Sequence, residues 1–336
     1  MLTQPWLRSY ATLALRIDRH LDGTALIYDG PAEWRAAVAA EEPVPPATLA
    51  DECEALRQDI PVDGERGTFL AAQLTAMHAT ARRLTDEGIP FAEHARRCLG
   101  VPIEPTPEDL LADAHSRLAT ALPPGSGSLA EQLHAWQQTH MVPADHVPEL
   151  VRRAMAETVA RTRAIVALPG EIHLDVRLDA GPHRGHYAGG NRGTLHVSDA
   201  QPFNGADLLS VVAHEGFPGH EAQHWLAAEL GIAVDGDLAA IHDARNALWG
   251  AWGNAALLTD AGRPDAEVAD HLTRWALLTD AETAWALDFL RSPAMRTYVL
   301  GYVHGWQLLR RWLDHPDRNA RVRRLLTEPV LPADLV

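Results

Sequence analysis

The segment His214-Glu215-Gly216-Phe217-Pro218-Gly219-His220-Glu221-Ala222-Gln223-His224 gathers three imidazoles and two carboxylates into one short run. Histidine is a common zinc ligand, and a glutamate beside a ligand can serve as general base. The preceding residues, Asp207-Leu208-Leu209-Ser210-Val211-Val212-Ala213, are apolar and helix-like. The combination predicts a metal site on a kinked helix.

Two ligand sets compete within the segment. His220-Glu221-Ala222-Gln223-His224 matches HExxH literally, with its histidines about 40° apart on a regular helix, so that both reach one metal. The other set takes His214 and His220 as ligands and Glu215 as base. On an ideal helix these histidines stand about 120° apart, which is poor geometry. Pro218, however, lacks a backbone donor, and Gly216 and Gly219 flank it. A kink or bulge is expected there, and two extra residues would convert His-Glu-x-x-Pro-Gly-His into the geometric equivalent of HExxH.

The elements that must position these groups are mostly helical. Apolar spacing predicts helices over 10–21, 34–40, 48–59, 68–87, 91–99, 107–122, 129–138 and 147–167. The pattern changes at Leu168-Pro169-Gly170. Ile172, Leu174, Val176 and Leu178 alternate with polar residues, and Thr194-Leu195-His196-Val197-Ser198 alternates again. These two runs predict a small sheet just ahead of the metal helix. It serves either as a structural hairpin or as an edge strand that pairs with an extended substrate. Beyond the motif, helices are predicted over 238–258, over 266–290 with one break, and over 294–314. The expected fold class is mainly α, a multi-helix zincin-like architecture with a small β-sheet next to the metal-binding helix. Residues 1–168 form a helical region walling the cleft and 169–336 carry the metal site, together one continuous unit.

Composition narrows the function. The 336 residues carry a formal charge of −16, which argues against nucleic acid and anionic membranes as partners. Two cysteines, Cys53 and Cys98, are too few for a disulfide framework or a cysteine-based zinc site and fit a reducing compartment. No signal peptide or membrane-length apolar run is present, so the expected location is the cytoplasm. No glycine-rich phosphate loop follows a strand, and Ser198 and Ser210 lack a triad context.

HEGFPGH resembles the HExxPGH signature of the domain of unknown function 885 family, bacterial metallohydrolases by repute. That family in turn resembles carboxypeptidase Taq, whose HExGH helix lacks the two added residues. Other segments run in the same order as in that family: YATLALRIDRHLDGTALIYDGPAEWRAAV, LPPGSGSLAEQLHAW, GGNRGTLHVSD and RSPAMRTYVLGYVHGWQLLRRW. The resemblance implies His214 and His220 as ligands and Glu215 as base, leaving His224 as the alternative ligand of the literal motif. Family members usually carry a glutamate on the next long helix as third ligand. Where Glu-Gly would fall this chain has Trp249-Gly250, and the nearest acid is Asp243. His242-Asp243…Leu248-Trp249 also resembles the HESQSRLW segment of carboxypeptidase Taq. Asp243 is therefore the expected third ligand, with His242 as substitute.

Two histidines, a carboxylate and an open position describe a peptidase-type zinc site, in which zinc acidifies water and Glu215 takes its proton. The same set describes the facial triad of non-haem iron, so Fe2+ is the alternative to Zn2+. The retained Glu215 favours hydrolysis. A hydrolase also needs a donor for the developing oxyanion. Tyr298, Tyr302 and His304 are the candidates, with Arg296 as a charge clamp; the family's Arg-x-Tyr near Tyr-x-x-Gly falls here. Asn191 and Arg192, in the stretch before the second strand, are the substrate-binding candidates. The expected function is zinc-dependent hydrolysis of a peptide or amide bond in a small molecule or short peptide. The alternatives are a metal enzyme of other chemistry in small-molecule biosynthesis, and a non-catalytic metallopeptidase relative acting as a binding protein. Oligomeric state is open.

Overall fold

A computed structural model describes residues 4–21, 28, 30–85, 88–143, 145–168, 170, 172–179, 184–189, 192–198, 203–205, 212 and 237–336. The protein is mainly helical with small sheets, as the apolar spacing predicts. The helices are α1 (Gln4–Asp18), α2 (Ala32–Ala40), α3 (Pro46–Gln58), α4 (Gly64–Arg83), α5 (Phe91–Leu99), α6 (Glu108–Ala121), α7 (Leu129–Thr139) and α8 (Val147–Ile165). After the strands come α9 (Leu238–Ala247), α10 (Trp249–Asp260), α11 (Asp265–Trp275), α12 (Asp280–Arg291), α13 (Pro293–Leu313) and α14 (Arg318–Thr327). No helix among the described residues is long and apolar enough to cross a membrane.

Local chemistry sets many of these boundaries. Ser128 and Thr279 open α7 and α12 with capping boxes: each hydroxyl accepts from the backbone of Glu131 or Glu282, whose carboxylate accepts from the cap backbone in return. Pro46, Pro148 and Pro293 sit in first turns, where a missing N–H costs little. Gly100 ends α5 at φ 68°, a conformation glycine adopts without a Cβ penalty.

The chain divides into two compact units. The first comprises Met1–Leu111, Leu248–Arg318 and Thr327–Val336; the second comprises Ala112–Ala247 and Asn319–Leu326. In the first unit, Leu13, Ile17, Leu49, Cys53, Leu70 and Leu74 join α1, α3 and α4 in one apolar cluster. A second cluster joins Phe91 and Leu111 to Ala251, Ala255, Leu272, Trp275, Leu290, Val299 and Leu300. Here α10 approaches α13 at Gly253, where a Cβ would stand 3.2 Å from Val303.

The second unit is built on α8 and a three-stranded sheet of order β2-β4-β3: β2 (His173–Asp179), β3 (Arg184–Gly189) and β4 (Arg192–Ser198). β4 runs parallel to β2 and antiparallel to β3. Leu195 and Val197 are fully buried and pack with Val147, Val151, Ala154 and Met155 of α8. A further two-stranded pair joins β1 (Met141–Val142) to β5 (Phe203–Asn204).

The structure corrects several sequence expectations. The 238–258 helix is two helices, interrupted at Leu248. Its halves are anchored separately: Asp243 pairs with Arg117 in the second unit, while Trp249 stacks on Tyr302 in the first. The turn and glycine-rich region before β4 contains a strand, β3, and α14 follows the helix expected to be last. The second alternating run, β4, is the central strand of its sheet, so its own hydrogen-bonding edges are occupied. Among the described residues only β2 and β3 have a free edge on which an extended substrate could pair.

Candidate metal and donor residues

His214, Glu215, His220, His224 and Asn191 lie outside the described residues. The nearest described neighbour of the motif is Val212, two residues before His214. Val212 is fully buried in the cluster that holds Leu195, Val197 and Val151. The apolar run ahead of the motif therefore reaches the core face of the small sheet. Its burial follows from its composition, since each fully buried valine is worth about 1.5–3 kcal/mol of apolar transfer.

Asp243 lies on α9, whose start is tied down by Asp237. The Asp237 carboxylate accepts from Ala240 N at 3.0 Å, and Asp237 N donates to Ala121 O at 3.1 Å. Ile241 and Ala244 are fully buried, and His242 is buried beside them. Asp243 is half-buried, and its Oδ2 accepts from Arg117 Nη1 at 2.6 Å. Arg117 also donates Nε to Asp113 Oδ2 at 2.9 Å, one turn back on α6. Asp243 is thus held in an ion pair and is not a solvated helix residue. Arg192 opens β4 as an exposed residue opposite His173 and Gly189.

The four donor candidates all sit on α13, in the first unit. Tyr298 and Tyr302 share a face at i, i+4 spacing, with their hydroxyls 3.0 Å apart. One hydroxyl donates to the other, which keeps its own proton to donate. The Tyr302 ring stacks on Trp249 with centroids 4.7 Å apart. His304 is half-buried, its Nε2 is buried without a protein partner, and burial lowers its pKa, so the imidazole is held neutral.

Arg296 is turned inward. Its Nη1 donates to Asp260 Oδ1 at 3.2 Å, and Arg83 donates to the same oxygen. Both guanidinium groups lie over the Phe91 ring. The Arg296 side chain is only 14% exposed, and burial lowers its pKa. A cation committed to Asp260 is spent on holding α4, α10 and α13 together. Arg291 likewise pairs with Asp265 and Asp288 on the surface.

Among the described residues no group of three His, Cys, Asp or Glu side chains stands close enough to hold a metal. The donor set of two imidazoles and a carboxylate suits zinc or ferrous iron. Asp243, its one described member, has the hydrogen-bonded setting usual for a ligating carboxylate.

Two polar clusters escape sequence reading. His196 Nδ1 lies 2.5 Å from Asp179 Oδ2 across the parallel β2–β4 pair. His94 is buried, with Nε2 3.3 Å from the Thr80 hydroxyl and 3.4 Å from Cys98 Sγ, and Nδ1 3.3 Å from the Thr297 hydroxyl. Burial pushes His94 down to about 4 and the Cys98 thiol up, so both are neutral and the pair is no nucleophile–base dyad. The partners come from distant segments, and only strand register and helix packing bring them together.

No family model matches the chain, and no curated protein matches it.

Proposed function

We propose that the protein is a metal-dependent hydrolase acting on a peptide or amide bond of a small molecule or short peptide. The observation that carries this reading is His214-Glu215-Gly216-Phe217-Pro218-Gly219-His220, in which proline and glycine interrupt two potential ligands and leave a glutamate beside the first. His214, His220 and Asp243 would hold zinc, which would supply Lewis acidity toward a carbonyl and acidify water. Glu215 accepts the proton from the attacking water and returns it to the leaving nitrogen. A tyrosine hydroxyl, from Tyr298 or Tyr302, donates to the oxyanion that develops on the carbonyl. Three features support the assignment. Val212 anchors the run entering the motif, Arg117 orients Asp243, and the tyrosine pair has a proton to give.

The acidic charge supports a small or peptidic substrate over nucleic acid. Two free cysteines fit work in the cytoplasm. Iron in place of zinc would suit the same ligands and a different chemistry.

A second reading, a non-catalytic relative that binds without turnover, draws on one observation. At the position where the resembling family has a glutamate this chain has Trp249, and that ring packs on Tyr302. Metal analysis of protein purified without added metal separates the readings. One equivalent of zinc supports the hydrolase, iron supports the oxidative alternative, and failure to bind either metal on titration leaves the binding protein. In a zinc-loaded hydrolase, Glu215→Gln abolishes turnover and keeps the metal; unchanged turnover refutes the role of Glu215.

A further inference from the structure

Large aromatic side chains bury most of their surface in a folded core, where stacked and edge-on ring pairs add to apolar burial. One group in the first unit departs from that pattern. Trp285 is 59% exposed and Tyr298 is 51% exposed, and the two are the ends of a continuous line of ring contacts. From Tyr298 the line passes edge-on to Tyr302 at 5.1 Å and stacks on Trp249 at 4.7 Å. It continues to Trp252 at 5.3 Å and edge-on to Trp285 at 6.0 Å, beside which Phe289 stacks at 5.1 Å. Three helices, α10, α12 and α13, contribute rings.

At the tyrosine end the helix surface is bare. Gly305 lies one turn beyond Tyr302 on the same face of α13, and a Cβ built there would meet nothing within 4 Å. The strip therefore has polar hydroxyls, flat rings and open space side by side. The occupant follows from the hydroxyls, because the proposed oxyanion donors are themselves members of the strip. A substrate whose carbonyl reaches Tyr298 or Tyr302 must lay the group next to that carbonyl on the neighbouring rings.

We propose that this strip is a substrate subsite for a flat aromatic group adjacent to the scissile carbonyl. The inference rests on the hydrolase reading only in naming the occupant a substrate. The offset-stacked and edge-on geometry suits a planar ring better than an aliphatic group of equal size, and the expected preference is about 3- to 10-fold in affinity.

The test is equilibrium binding to the full-length Glu215→Gln protein, which removes turnover from the measurement. The probes are N-acetyl-tryptophanamide and N-acetyl-leucinamide, compared by ligand-observed NMR titration. The aromatic probe should bind more tightly, and Trp285→Ala and Gly305→Leu should each erase the difference. Trp285 is exposed and Gly305 faces open space, so both variants should keep the parent far-UV circular dichroism; that spectrum is recorded first. Equal affinity for the two probes, or a preference that survives both substitutions in folded protein, overturns the proposal. Concentration-dependent self-association that Trp285→Ala abolishes, without aromatic preference, also overturns it and makes the strip a contact between copies of this chain. Zinc content is measured in parallel. A zinc-free protein that prefers the aromatic probe keeps the stacking site and loses the hydrolase reading. A zinc enzyme with Glu215-dependent turnover and no aromatic preference loses the subsite alone.

Discussion

Asp260 is the residue whose removal should tell most about the first unit. Two guanidinium groups converge on its carboxylate, from Arg83 on α4 and Arg296 on α13. The three side chains are 26%, 24% and 14% exposed for Arg83, Asp260 and Arg296, so the cluster is screened far less than a surface pair. Asp260→Asn keeps the shape and removes the charge, leaving two desolvated cations facing each other. Breaking a buried pair by deleting one partner costs about 3–5 kcal/mol. Partial exposure lowers the expectation here to about 2–4 kcal/mol. Arg296→Met should behave differently. Arg83 still satisfies Asp260 and donates to Ile89 O at 2.6 Å, while the substitution removes a cation with a buried, unpartnered Nε. The lost pair and the relieved desolvation offset one another, and the net change should stay within about 1 kcal/mol. In the double variant the second substitution should recover part of the loss, since neighbouring charges couple by about 0.5–3 kcal/mol. The assay is urea unfolding followed by circular dichroism, read as midpoint shifts at constant slope. Asp260→Asn within about 0.5 kcal/mol of the parent, or Arg296→Met as costly as Asp260→Asn, would refute the reasoning.

Other outcomes follow from the same structure. Arg117→Ala should weaken zinc binding about 10- to 100-fold by titration calorimetry if Arg117 orients Asp243 as a ligand, with partial rescue in Arg117→Lys; unchanged affinity would count against Asp243. His94 has a folded pKa pushed from 6.5 to about 4, so the unfolded chain binds the proton first. Its stabilisation stands in full above pH 6.5 and is lost as pH falls through about 4, a swing on the order of 3 kcal/mol. His94→Gln should flatten that acid limb relative to the parent, and parallel profiles would contradict it. Ser128→Ala and Thr279→Ala should each cost about 1 kcal/mol in urea unfolding through loss of a helix cap. Leu272→Ala, at a fully buried position, should cost about 2–5 kcal/mol by the same assay.

Much of this chain is legible before folding because helix and strand periods are local properties. The spacing of Leu13, Ile17, Leu70 and Leu74 already marks the helix faces that bury them, and the alternation of Leu195 and Val197 marks the core face of β4. The capping residues and prolines locate helix starts for the same reason: they act on their own first turn. The chemistry of the proposed site is also local, since ligand, base and kink lie within seven residues. Tertiary structure decides what depends on distant partners. A candidate charge clamp, Arg296, became an internal counter-ion because α4 and α10 bring Arg83 and Asp260 to it. The helix through Leu248 split because its two halves found anchors in different units. Asp243 gained Arg117, 126 positions away, and the tryptophans expected to be core include one, Trp285, left on the surface. Composition says how many aromatic rings and charges a chain owns. Which of them meet, and which face solvent, is set by helix packing that no local period encodes.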